Sequence, residues 1–244
     1  MATRQIKFAI VVLVCVAVGA VSMAQKKDDW AINNAMIGPD SPIELAAGST
    51  YQAQAMYPVP DGPLYPLKAK VSWSIEPEVK GVSIDANSGK ITVLANVAHG
   101  TSATVAANVD GGRRKLTAKL YVFRPEVNPF AGGWDIDSKP VCGAMEELGA
   151  LEPTQKMMEW KFHVDKQFWM GRELGIAAGS FLSGRYEFDL RSHKLTLMPE
   201  WPKGKRSSSW NWTLEERGTK LLLRRDSTGC PLVLRRLPAQ TLAK

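Results

Sequence analysis

The sequence predicts an all-β protein made of two parts, a β-sandwich followed by a small antiparallel β-barrel of about eight strands. Short runs in which apolar and polar residues alternate predict strands, and clusters of Gly, Pro, Asn and Asp separate them every eight to twelve residues or so. A proline-rich break at Arg124–Pro129 divides the strands into two sets. The length of 244 residues suits two domains, and a composition that is 45% apolar and 23% charged excludes disorder as the main state.

The first 24 residues have the pattern of a signal peptide. Arg4 and Lys7 precede an apolar run, Phe8–Val21, and small residues at Ser22 and Ala24 suit cleavage before Gln25. An uncleaved anchor helix is the alternative, but the run is shorter than the ~20 residues of a bilayer span. A lipid anchor at Cys15 is disfavoured because Val14 precedes it. We expect a periplasmic or secreted protein without a stable membrane span after cleavage.

The charge does not point to a nucleic-acid partner. The full chain has a formal net charge of +7, which loss of Arg4 and Lys7 lowers by two. The remaining basic residues are spread along the chain, and the densest groups, 113–115 and 203–206, lie next to glycine turns. Such groups are more often solvated hairpin tips than phosphate-binding stripes.

Two cysteines remain after the signal peptide, Cys142 and Cys230, and an oxidising compartment favours a disulfide between them. A bridge over a loop of this length restricts the unfolded chain by about 4–5 kcal/mol in the chain-entropy interpretation. Two buried free thiols are the alternative. The three histidines lie far apart without metal-ligand spacing, so we expect no metal and no cofactor.

The first domain, residues 31–124, is a series of short strands with alternating apolar and polar residues. The alternating runs are Thr50–Tyr57, Val71–Ile75, Val82–Ile84, Ile91–Val93, Gly100–Val109 and Leu116–Val122. Asp110-Gly111-Gly112 predicts the turn of a hairpin between the last two. These short strands favour a sandwich.

Several short motifs of this domain occur in the order of a known family. Val71-Ser-Trp73-Ser, Gly81–Asp85, Ser88-Gly89-Lys90 and the opening Gly100-Thr101 resemble the bacterial immunoglobulin-like group 2 family over residues 41–123. The resemblance implies an immunoglobulin-like sandwich with Trp73 as its core tryptophan. It also implies a spacer or binding module of a cell-surface or adhesion protein, with no catalytic residues.

The second domain, residues 130–240, again consists mostly of strands, although 144–158 has room for one or two helical turns. The predicted strands are Gly133–Asp137, Glu159–Val164, Gly179–Leu182, Gly184–Leu190, Lys194–Met198, Ser208–Glu215, Lys220–Arg225 and Leu232–Leu237. Eight strands joined mostly by hairpins match a closed up-and-down barrel, in which no edge strand is left exposed.

The barrel domain resembles lipocalin-like and other calycin barrels at Gly132-Gly133-Trp134, at Gly184-Arg-Tyr and at Lys194-Leu-Thr-Leu. META-type domains have similar motifs at the last two places and fit nearly as well. The calycin resemblance implies that Trp134 packs against an arginine of the last strand and closes one end. Arg235 or Arg236 fits that position, but strand alternation lets only one face Trp134. Arg235 is taken as the partner.

Six of the eight tryptophans lie in the second domain. Trp160, Trp169, Trp210 and Trp212 are candidate ligand-binding residues, which would line a cavity for an apolar molecule or stack on sugar rings. Packing in the barrel core is the alternative, because Trp210 and Trp212 lie two residues apart on one strand face.

No motif indicates catalysis, since the sequence has neither a Gly-x-Ser-x-Gly elbow nor a glycine-rich phosphate loop. We therefore expect a non-enzymatic, exported binding protein whose barrel holds a small apolar molecule or a carbohydrate. The sandwich would serve as a spacer or docking module. The alternative is a structural or adhesion protein of the bacterial cell envelope, with envelope proteins or polysaccharide as partners. A ligand pocket in the barrel should reach about 300 Å³.

Overall fold

A computed structural model describes residues 29–38, 41–59, 64–138, 159–172, 179–225 and 231–237. Almost all of them lie in strands and turns, with a single short helical segment at 29–33 and two 3-10 turns, Asp110–Gly112 and Glu216–Gly218. The all-β prediction is confirmed.

Ten strands form the first part and eight the second. The first ten are β1 Met36–Gly38, β2 Ile43–Ala46, β3 Thr50–Gln52, β4 Gln54–Pro58, β5 Leu64–Pro66, β6 Val71–Glu76, β7 Val82–Ile84, β8 Lys90–Val93, β9 Ser102–Val109 and β10 Arg114–Phe123. The other eight are β11 Gly132–Ser138, β12 Glu159–Phe162, β13 Gln167–Arg172, β14 Gly179–Asp189, β15 Lys194–Trp201, β16 Ser208–Glu215, β17 Lys220–Arg224 and β18 Pro231–Arg236.

The first ten strands build the predicted immunoglobulin-like sandwich. One sheet has the order β2-β10-β9-β6, and two three-stranded sheets, β1-β4-β5 and β3-β8-β7, complete it. Strand β2 runs parallel to β10, whereas all other pairs are antiparallel. Trp73 belongs to the buried core shared by these sheets, as expected. The predicted strand Thr50–Tyr57 is in fact two strands, because the chain changes sheets at Ala53.

The last eight strands form a closed antiparallel barrel, which confirms the predicted fold class. Consecutive strands pair as hairpin neighbours from β11 to β18, and β18 returns to pair with β11. Side chains that point inward form one buried core of aromatic and aliphatic residues, separate from the core of the sandwich.

Two strands of the barrel differ from the prediction. We expected no strand at Gln167–Arg172, where β13 lies, and we expected two strands where the single β14 runs through a bulge at Ser183 and Gly184. A Cβ on Gly184 would lie 2.2 Å from the carbonyl oxygen of Met198, so the glycine permits this close approach rather than ending the strand. The total of eight strands is right only because the two errors offset each other.

The connection between the two parts packs against the barrel. Arg124 to Val127 form a turn, and the next residues, Asn128, Phe130 and Ala131, are buried. The proline-rich segment is therefore a tether only over its first half. Independent folding of residues 31–124 and 130–240 remains a prediction.

Some sequence-based expectations fall outside the described residues. These are the signal peptide, the helical turns of 144–158 and both cysteines, Cys142 and Cys230. In the part of the chain that is described, no helix is long and apolar enough to cross a membrane.

Candidate functional site

The barrel interior holds three of the four tryptophans that the sequence suggested as ligand contacts. Trp160 and Trp210 are 1% exposed and Trp212 is 7% exposed, and all three belong to the barrel core. Trp169 is half-buried and lies between the inward-facing Phe168 and Met170, so alternation places it on the outer face. The four residues therefore do not form one surface.

Phe130 from the connecting segment fills the middle of this interior. Its ring contacts four aromatic rings of the barrel at centroid distances of 5.2–6.2 Å, which belong to Phe162, Tyr186, Phe188 and Trp212. Edge-to-face and tilted pairs at such distances are favourable beyond their buried area. The described side chains thus occupy much of the barrel interior, where a ligand was expected.

Four indole N–H groups in this core differ in their hydrogen bonding. The Nε1 of Trp134 donates to the carbonyl oxygen of Phe130 at 2.7 Å, and that of Trp210 donates to the hydroxyl of Ser208 at 3.0 Å. The Nε1 atoms of Trp160 and Trp212 are buried and have no acceptor among the residues that the structure describes. A buried donor without an acceptor is costly, so these two atoms mark polar points inside an otherwise apolar barrel.

Arg236 closes one end of the barrel against Trp134. The prediction that Arg235 is the partner of Trp134 is wrong. The guanidinium of Arg236 lies 4.2 Å from the centroid of the Trp134 ring, directly across from it in the β11–β18 pair. Its Nη1 and Nη2 donate to the carbonyl oxygens of Ala131 and Pro129, both at 2.6 Å, and its Nε donates to that of Gly218 at 3.0 Å.

Arg235 points outward because neighbouring residues of a strand face opposite sides. On the outer face it stands opposite Lys220 on one side and Asp135 on the other. Its Nη1 donates to Glu216 Oε2 at 3.0 Å, and Lys220 forms an ion pair with Glu215 at 3.3 Å. Arg235 therefore belongs to a solvent-facing row that contains both acidic and basic side chains.

Arg236 also contacts the sandwich. Its guanidinium lies 6.0 Å from the ring centroid of Phe123, the last residue of β10. Gly132 leaves room for this contact, since a Cβ there would lie 3.2 Å from Arg236 Nη1. Burial lowers the pKa of Arg236 to about 10, so the group stays protonated at neutral pH. The cation is held by two rings and by backbone carbonyl groups.

A second contact joins the two parts through Glu44 of β2. Its Oε1 accepts the backbone N–H of Val164 at 2.9 Å and lies 3.3 Å from His163 Nδ1. These two residues lie in the β12–β13 turn. The Glu44 side chain is only 9% exposed, so the sandwich contributes a nearly buried carboxylate to the barrel turn.

The same turn is held from inside the barrel. The Tyr186 hydroxyl donates to the carbonyl oxygen of His163 at 2.7 Å and accepts from Nδ2 of Asn128 at 2.8 Å. Burial raises the pKa of Tyr186 well above its ordinary value, which keeps the hydroxyl protonated and able to donate. Glu44, Tyr186 and Asn128 thus link sandwich, barrel and connecting segment.

A cleft of about 300 Å³ lies at this junction, and its wall combines apolar and charged side chains. Phe123 and Leu237 contribute apolar surface, whereas Glu44, His163 and Arg236 contribute polar groups. A neighbouring cavity of about 430 Å³ shares His163 and lies against Lys119 and Tyr121 of β10. Neither of these two cavities lies inside the barrel.

Sequence reasoning missed the junction because contacts between the two parts leave no local pattern. Glu44 and His163 are separated by more than a hundred residues, and neither belongs to a motif. Only Arg235 and Arg236 could be named from the sequence, because the resemblance to calycin barrels implies an arginine of the last strand at this end of the barrel. The candidate disulfide residues Cys142 and Cys230 lie outside the described residues.

The histidines have separate surroundings. His99 Nδ1 accepts the backbone N–H of Arg124 at 3.1 Å, and His193 packs against Trp212 with ring centroids 4.7 Å apart. Within the described ranges, no three His, Cys, Asp or Glu side chains are grouped as a metal site.

The fold defines the class of protein, a two-part all-β chain in which an immunoglobulin-like sandwich precedes a closed eight-stranded barrel. No protein-family model matches the chain, and no curated protein matches it either.

Several solved structures can be aligned with it, and three of them illustrate the range. A chimeric titin Z1Z2 carrying a decorin peptide aligns over 37% of this chain and 92% of its own, at 18% identity and a TM-score of 0.23. Domains 5–6 of the S-layer protein SbsC align over 85% and 100%, at 11% identity and 0.28. A DUF4784 family protein from Bacteroides caccae aligns over 86% and 69%, at 8% identity and 0.18.

Proposed function

We propose that this chain is an exported, non-catalytic structural or adhesion protein of the bacterial cell envelope, which recognises its partners on its outer surfaces. The aromatic core of the barrel carries the proposal, because Phe130 and the inward-facing tryptophans occupy space that a carrier keeps for its ligand. The barrel is then a packed module whose outer face is its useful surface.

The junction supports the same function. Glu44 and Arg236 each bind across the boundary between the two parts, through Val164 and Phe123 respectively. Contacts of this kind favour a fixed orientation of two modules, which suits a protein that spans distance or carries load more than one that opens to release a ligand. The resemblance of residues 41–123 to the bacterial immunoglobulin-like group 2 family agrees, since that family supplies surface and adhesion modules.

A second candidate is carriage of a small apolar or sugar ligand by the barrel, which would then be lipocalin-like or META-type. The unpaired indole N–H groups of Trp160 and Trp212 favour it, because a ligand with acceptor oxygens would satisfy both. Buried water molecules would do the same.

Native mass spectrometry and co-sedimentation separate the two candidates. The purified mature chain should show its own mass without a retained small molecule, and a stoichiometric adduct would favour the carrier. The chain should also sediment with isolated envelope fragments at a salt concentration high enough to screen its net positive charge. Retention that disappears on raising the salt would contradict specific adhesion.

A further inference from the structure

An exposed aromatic group lies on the sandwich, where no sequence motif predicts a ligand. It consists of Trp30 in the short helical segment, Tyr57 on β4 and Tyr65 on β5, and we refer to these three residues as the aromatic surface. Trp30 is 42% exposed and Tyr65 is 45% exposed, and Tyr57 lies between them. None of the three is part of the sandwich core.

The rings form one continuous group. Tyr57 and Tyr65 stand directly opposite each other in the β4–β5 pair, with ring centroids 6.2 Å apart and planes tilted by 32°. Trp30 meets Tyr57 at the same distance with its plane at 89° to the tyrosine ring. Tyr57 therefore supports two outer rings, and both keep a large part of their surface open to solvent.

Neighbouring residues in the strands make this support stiff. Pro58 follows Tyr57 and Pro66 follows Tyr65, and each proline takes part in the β4–β5 pairing. Tyrosine and tryptophan have few rotatable bonds, so ordering them on binding costs little conformational entropy.

The size and charge of the aromatic surface select the class of partner. Trp30 and Tyr65 are each about two-fifths exposed and Tyr57 is less exposed, so the three rings offer roughly 250 Å² at most, far less than the ~800 Å² that a stable protein interface buries on each partner. The three side chains are uncharged, and Asp29, the residue before Trp30, is paired with Arg113. A small, neutral and aromatic surface with tyrosine hydroxyl groups suits stacking on sugar rings and hydrogen bonding to their hydroxyl groups.

We infer that the aromatic surface binds a neutral polysaccharide, with Trp30 and Tyr65 each stacking on a sugar ring. This inference rests on the proposed function in that it names the partner class of an envelope-adhesion protein. It uses a surface remote from the barrel interior in the fold. The sequence predicted that tryptophans of the barrel stack on sugar rings, whereas this inference assigns the stacking to the aromatic surface of the sandwich.

The test uses the mature chain and its variants with a panel of soluble oligosaccharides, namely cellotetraose, chitotetraose, xylotetraose, laminaritetraose and maltotetraose. Binding is measured by ligand-observed NMR titration, and we expect at least one sugar to bind with a Kd of about 1 mM or tighter. Trp30→Ala and Tyr65→Ala should each weaken that binding about tenfold or more. Tyr65→Phe should keep most of it because the ring remains.

Trp201→Ala is the matched control, because Trp201 is a 51% exposed tryptophan on the barrel. It should leave sugar binding unchanged. The inference fails if no sugar of the panel binds the mature chain, or if binding survives the combined Trp30→Ala and Tyr65→Ala change. Circular dichroism of each variant checks that the sandwich stays folded.

The two proposals can fail separately. If the combined variant still sediments with envelope fragments, the adhesion function stands and the aromatic surface is not its sugar-binding site. If the mature chain binds an oligosaccharide through Trp30 and Tyr65 but does not sediment with envelope, the surface stands and the envelope function fails.

Discussion

The guanidinium of Arg236 lies 4.2 Å from the indole ring of Trp134 and 6.0 Å from the phenyl ring of Phe123. One side chain of the last barrel strand therefore contacts both the first barrel strand and the last strand of the sandwich. It also donates hydrogen bonds to three backbone carbonyl groups, those of Pro129, Ala131 and Gly218. Closure of the barrel and attachment of the sandwich thus depend on the same cation.

Arg236→Ala should destabilise the barrel by about 2–4 kcal/mol, because it removes the contact with Trp134 and leaves buried carbonyl groups without donors. Arg235→Ala should stay within about 0.5 kcal/mol, since its ion pair with Glu216 is exposed. Urea unfolding of the purified chain, followed by tryptophan fluorescence, measures both.

Arg236→Lys is the informative control. Lysine keeps the positive charge but lacks the planar fork that binds several carbonyl groups at once, so it should recover only part of the loss. Equal, negligible effects of Arg235→Ala and Arg236→Ala would contradict the closure.

The comparison of sequence and fold separates what alternation can predict from what it cannot. Inward and outward positions followed from alternation, so Trp210 and Trp212 share a buried face as expected. Alternation also required that only one of Arg235 and Arg236 reach Trp134, but it could not say which, because that depends on the register between β18 and β11.

Gly184 caused a second error, the division of β14 into two predicted strands. In sequence Gly184 has the pattern of a break between strands, whereas in the fold it lies within a strand at a bulge. The contact between Glu44 and Val164 could not be predicted at all, since the two residues lie 120 positions apart in the sequence. Long-range contacts between modules leave no periodic trace.

Gly184→Ala should destabilise the barrel more than an ordinary glycine replacement. Its Cβ would lie 2.2 Å from Met198 O and 2.8 Å from the backbone nitrogen of Glu200, so β14 and β15 would have to separate locally. We expect a loss of about 2–4 kcal/mol in urea unfolding.

Gly204→Ala is the matched control, because a Cβ there meets nothing within 4 Å and only its positive φ of 88° opposes the change. It should cost about 1 kcal/mol. A similar loss in both variants would mean that the bulge at Gly184 is not as tight as described.

Acid should weaken the sandwich through His99. Burial lowers the pKa of His99 below its ordinary value, although Glu126 opposes the shift, and its Nδ1 accepts the Arg124 N–H. The folded chain therefore prefers the neutral imidazole, so this contribution to stability is present above pH ~6.5 and is lost as the pH falls through the folded pKa.

The measurement is the urea midpoint of the mature chain and of His99→Asn between neutral and mildly acidic pH. The natural chain should lose more stability on acidification than the variant, whose residue 99 does not titrate. Identical pH dependence of the two chains would show that His99 does not report on folding.

The connecting segment contributes two buried side chains at the start of the barrel. Asn128 is 2% exposed and bonds to the Tyr186 hydroxyl, and Phe130 is fully buried among aromatic rings of the barrel.

A fragment that starts at Arg124 keeps both side chains and should fold on its own. A fragment that starts at Gly132 loses Phe130, whose removal from a core costs about 3–5 kcal/mol, and should be largely unfolded. Val127 is 44% exposed, so limited proteolysis should cut the natural chain near it and release a folded barrel that retains Asn128. Equal stability of the two fragments, measured by circular dichroism and urea unfolding, would mean that the segment only covers the barrel and does not belong to its core.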